Sequence, residues 1–136
     1  MTRPPWWRRP AVALLLDVAL VLVFASVGRA SHEESSQVLG VLATAWPFLV
    51  GTGLGWLVVR GRRHAWPLDV GPGVTVWFAT VLVGMLLRRA VGSGTAPSFV
   101  VVASVVLALL LLGWRALGAY AVRRTRPTPA APQHTE

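Results

Sequence analysis

Four long apolar runs, residues 11–28, 38–59, 70–87 and 98–122, constrain this chain more than any other feature. At 1.5 Å per residue, helices of about 18 to 25 residues reach about 27 to 37 Å, enough to cross a hydrocarbon core of about 30 Å. Backbone N–H and C=O groups cannot be left unpaired in lipid, so each run must close its own hydrogen bonds as a helix. None alternates as a barrel strand does. The links 29–37, 60–69 and 88–97 are short enough to make sequence neighbours antiparallel neighbours. The expectation is all-α: an integral membrane four-helix up-and-down bundle over 11–122. A short segment, 1–10, precedes it. A proline-rich tail, 123–136, lacks apolar periodicity and reads as disordered and cytoplasmic.

Composition points to the same solvent. Only 13% of residues are charged and 54% are hydrophobic, with a mean hydropathy of +0.61. A water-soluble domain devotes about a quarter of its residues to charge. The net charge of +8 raises the question of nucleic acid. All thirteen cations are arginines, however, and twelve sit in the segments that punctuate the apolar runs. A nucleic-acid binder needs them along one continuous face. Anionic lipid headgroups are therefore the expected counter-charges, and no nucleic-acid partner is expected. The absence of cysteine removes disulfides, thiolate metal sites and cysteine nucleophiles together.

The first run follows Arg8 and Arg9, as a signal peptide would. It is too long for a signal core, Asp17 interrupts it, and no tight A-x-A site follows, so it is read as a retained span. Nine arginines (3, 8, 9, 60, 62, 63, 123, 124 and 126) flank one side of the bundle; Arg29, Arg88 and Arg89 flank the other. The excess places both termini in the cytoplasm of a multi-pass plasma (inner) membrane protein. Trp6, Trp7, Trp56, Trp66 and Tyr120 fall near the arginine-rich side, as an aromatic belt would.

Two ionisable residues lie inside the runs: Asp17 in the first and Arg115 in the fourth. Each costs about 2.5–3.5 kcal/mol on insertion scales. Counted in 1.5 Å steps from the cytoplasmic ends, they lie at about 9 and 10 Å depth, so they are expected to face each other as an intramembrane ion pair. That pair is either structural, fixing helix packing, or part of an ion or proton pathway. At the other end Arg29, Ser31, His32, Glu33, Glu34, Arg88 and Arg89 are expected to gather into an outer polar cluster, in which a glutamate approaches Arg88 or Arg89. His32 there is either a pH-responsive group or part of a solvated loop.

In the second run Ala43, Pro47, Gly51 and Gly55 repeat every four residues, a small-residue stripe for close helix packing, with a kink expected at Pro47. Thr80, Gly84 and Arg88 share a face of the third run. The dipeptide GW at 55–56 recurs at 113–114, a faint internal echo. The three histidines have neither the spacing nor the placement of a metal site, and none lies inside a run, so no metal, haem or other cofactor is expected. No nucleophile has a paired base on its own side, and no phosphate-binding loop is present; no enzyme is expected.

With Asp17, GRASHE at 28–33, Pro47-Phe48, Gly84, Arg88 and Gly113-Trp114-Arg115, the chain resembles a group of small prokaryotic membrane proteins catalogued as domain of unknown function 3054. The likeness covers about 11–122. It implies a multi-helix membrane protein and no particular activity. Two classes of function stay open: a non-catalytic membrane component assembling with itself or a membrane partner, and a small transporter or ion/proton permeation unit using Asp17 and Arg115.

Overall fold

The computed structural model describes residues 3–29 and 37–125. A single 3-10 turn, Trp6–Arg8, leads into α1 (Pro10–Arg29), followed by α2 (Gln37–Arg63), α3 (Val70–Ala90) and α4 (Pro97–Arg124). The described residues form no strand. All four helices are long and apolar enough to cross a membrane.

Helix ends follow local chemistry. Pro10 and Pro97 open α1 and α4, where the missing N–H would have no intrahelical partner anyway. Every helix carries arginine in its last turn: Arg29, Arg60 with Arg62 and Arg63, Arg88 with Arg89, and Arg123 with Arg124. Cations there oppose the partial negative charge of the last carbonyls. This carries α2 past the apolar limit at 59 to Arg63, which corrects the expected 60–69 link. His64, at φ 50, then turns the chain out of the helix.

Each helix turns one narrow row inward. In α1 the row is Ala13, Asp17, Val21, Phe24 and Ala25; in α4 it is Ala103, Leu107, Leu111 and Arg115. Consecutive helices pack on one another, and α1 meets α4 to close the bundle. The most intimate pair is α2 with α3. A Cβ on Gly51 would lie 2.7 Å from the Ala79 carbonyl oxygen and 2.8 Å from Thr80 Cα; one on Gly55 would lie 2.8 Å from Val76 Cα. Lipid tails are as apolar as leucine, so such close backbone approach, through dispersion, is what holds helices together in a bilayer. Pro47 is buried beside this contact, and α2 runs on through it. Ala43 is exposed and falls off the packing stripe. Three four-residue steps on a helix of 3.6 residues per turn drift by about 120°, so a four-spaced row cannot keep one face.

Above this contact Phe48 occupies the space left by Gly84 and meets Phe24 edge-on, ring centroids 5.3 Å apart. Val21, Ala103, Leu107 and Leu111 complete that apolar core. Below it the Thr52 and Thr80 hydroxyls pair at 2.9 Å, and each also donates or shares its proton with its own helix, toward the Phe48 and Val76 carbonyls.

Candidate functional site

Toward the end of the bundle that carries the N-terminal segment, the core changes from apolar to charged. The guanidinium of Arg115 grips the carboxylate of Asp17 with two parallel bonds, Nη2 to Oδ2 at 2.7 Å and Nη1 to Oδ1 at 2.8 Å. Both side chains are fully buried. Bidentate, charge-assisted geometry of this kind is the strongest that neutral-pH side chains offer. Desolvating both ions still costs several kcal/mol each, so the remaining polar atoms must also be satisfied.

They are, and from three other directions. Trp56 Nε1 on α2 donates to Asp17 Oδ2 at 2.9 Å, and Trp114 Nε1 on α4 donates to Oδ1 at 2.9 Å. The carboxylate thus accepts four N–H bonds, which fills its lone-pair sites. Arg115 directs Nε to the Pro67 carbonyl at 3.0 Å and Nη1 also to the Leu111 carbonyl at 2.6 Å, and it lies 4.5 Å from the Trp114 ring centroid. Gly73 on α3 makes room: a Cβ there would lie 2.6 Å from Arg115 Cδ and 2.9 Å from its Nε. All four helices and the α2–α3 turn therefore meet at one ion pair.

The two tryptophans were not among the residues expected at the pair. Trp56 does not belong to the interfacial belt that its position predicts: it is 5% exposed and its N–H is spent on Asp17. Trp6, Trp66 and Tyr120 are exposed. The signal that could have found the pair was the GW echo, since the two indoles serve opposite oxygens of one carboxylate.

Beside the pair a cleft of about 260 Å³ opens at the same end, bordered by Trp7, Arg8, Asp69, Trp114, Arg115 and Arg123. Arg8 Nη2 meets Asp69 Oδ1 there at 3.0 Å, tying the N-terminal segment to the start of α3.

At the opposite end the structure describes Arg29, Arg88 and Arg89 of the expected polar cluster. Ser31, His32, Glu33 and Glu34 lie outside the described residues. Arg29 and Arg88 border one cavity of about 270 Å³ together with Thr44, Phe24 and Phe99. Arg89 is exposed and does not line it.

This architecture has a counterpart in sequence. A family model described as a protein of unknown function (DUF3054) matches residues 14–118. The chain belongs to the DUF3054 family. The DUF3054 match takes in Asp17, Trp56, Trp114 and Arg115 as well as Arg29 and Arg88, so it spans the buried pair and the opposite cavity alike. No curated protein and no solved structure matches the chain.

Proposed function

We propose that this DUF3054 protein is a non-catalytic component of the plasma membrane, a four-helix unit locked by its Asp17–Arg115 pair that assembles with itself or with a membrane partner. One observation carries the reading: the Asp17 carboxylate already accepts four N–H bonds. A carboxylate that hands protons or cations across a membrane needs an open acceptor, whereas one that joins helices is best saturated. The outward faces of α4, with Val101, Val105, Leu109 and Leu117 exposed, are left for lipid or a neighbouring protein. The nine-to-three arginine asymmetry supports a topology with both termini in the cytoplasm, where anionic headgroups meet the arginine-rich end.

A second reading is a small permeation unit. The cleft of about 260 Å³ that reaches Arg115 favours it. Against it stands the apolar plug of Val21, Phe24, Phe48, Leu107 and Leu111, which separates that cleft from the Arg29–Arg88 cavity. Reconstitution in proteoliposomes separates the two. A structural pair gives vesicles whose proton and ion leak matches empty ones, and particles larger than a monomer in nanodiscs. A flux abolished by Asp17→Asn in a protein that still folds would overturn the non-catalytic reading and establish the second.

A further inference from the structure

At the end away from the buried pair, α1 and α4 leave an apolar groove of about 530 Å³ between them, floored by Val23, Phe24, Val27, Val102, Val106 and Leu110. Along α4 it runs from Ser98 to Leu110, about 18 Å at 1.5 Å per residue. One leaflet of a hydrocarbon core about 30 Å thick is about 15 Å deep, so the groove has the length of a leaflet. It is not closed at its polar end. Phe24, Gly28 and Phe99 border both the groove and the cavity lined by Arg29, Arg88 and Thr44, so the two spaces adjoin.

That cavity is built for an oxyanion. The Arg29 guanidinium lies across Gly40 of α2, in the space that a Cβ would take. Arg88 is held from α3, stacked 4.7 Å from the Phe99 centroid and donating Nη2 to the Gly94 carbonyl at 3.2 Å. Its Nε is buried and has no acceptor among the described residues. A buried charged donor left without an acceptor is costly, and an anionic oxygen is its natural complement. Two arginines and a threonine from three helices line this one cavity, a set of donors suited to a tetrahedral oxyanion, and the apolar groove lies alongside.

We infer that this end of the bundle binds one phosphate-headed anionic lipid, with its phosphate on Arg29 and Arg88 and an acyl chain in the α1–α4 groove. Neither Asp17 nor Arg115 takes part, so the inference stands apart from the reading of the buried pair. The same phosphate chemistry could come from inorganic phosphate in water, and the chain's own Glu33 and Glu34 are a further source of negative charge in the sequence; the test separates all three.

Native mass spectrometry of the detergent-purified chain measures binding of phosphatidylglycerol, phosphatidylcholine and inorganic phosphate. Phosphatidylglycerol should bind in preference to the other two, and Arg29→Gln with Arg88→Gln should weaken it by about tenfold or more, the loss of charge-assisted bonds worth about 1.4 kcal/mol or more. Val106→Trp, which fills the groove and leaves both arginines in place, should weaken the lipid to a similar degree. Unchanged lipid binding in either variant overturns the proposal. So does inorganic phosphate binding as tightly as the lipid, which would make the cavity a free-anion site. A rise of about tenfold in lipid affinity on Glu33→Gln with Glu34→Gln overturns it too, since the arginines would then serve the chain's own carboxylates.

Discussion

Trp56 and Trp114 aim their indole N–H groups at opposite oxygens of one carboxylate, each at 2.9 Å from Asp17. They come from α2 and α4, and Trp56 adds α2 to the salt bridge that Asp17 and Arg115 form between α1 and α4. Removing either N–H without removing the ring isolates this contribution. Trp56→Phe and Trp114→Phe should each lower stability by about 1–3 kcal/mol, the cost of leaving a buried charged acceptor one donor short. Denaturant unfolding in mixed micelles measures it; a change below about 0.5 kcal/mol in both would mean the indoles are spectators.

Glycine at position 73 is required by Arg115, not by the backbone. Gly73→Ala should displace the guanidinium and cost about 1–3 kcal/mol, as overpacking does elsewhere. Gly53→Ala provides the contrast, because a Cβ there meets nothing within 4 Å. In a helix interior that change should be neutral or stabilising by up to about 1 kcal/mol. Thermal midpoints in one detergent compare the two directly.

The α2–α3 contact should be still less tolerant. At Gly51 the neighbours of an added methyl are backbone atoms of Ala79 and Thr80, which cannot rotate away. Gly51→Ala should therefore push the helices apart, stretch the 2.9 Å Thr52–Thr80 hydrogen bond and destabilise more than Gly73→Ala does. A smaller loss than at Gly73 would show that the helices can slide.

The proposed topology has a clean background, because the chain lacks cysteine. A cysteine at Ser93, in the turn between α3 and α4, should react with an impermeant maleimide on intact cells. A cysteine at Thr125, beyond α4, should react only after lysis. The reverse pattern would invert the orientation.

Much of this fold was legible because lipid leaves few choices: four apolar runs of spanning length admit four helices, and short links admit little but antiparallel neighbours. Asp17 and Arg115 stood out by cost, and equal depth was enough to set them opposite each other. Trp56 did not stand out, since an indole near a helix end reads the same whether its N–H meets a headgroup or a buried carboxylate. The Arg8–Asp69 contact was equally silent, for it joins two exposed residues through a turn whose length changed when α2 continued to Arg63. Periodicity also overreached at Ala43, where helical drift carries a four-spaced row away from its partner.

The central claim is that Asp17 and Arg115 are coupled as a structural lock. A double-mutant cycle of Asp17→Asn and Arg115→Gln, read as unfolding free energy or as folded yield in membranes, tests it most directly. Each single change strands a buried charge and should cost about 3–5 kcal/mol. The double change strands none, so it should cost clearly less than the sum of the singles, with a coupling of about 1 kcal/mol or more. A double variant whose loss equals that sum would contradict the account, and Asp17 would then be free to serve a pathway.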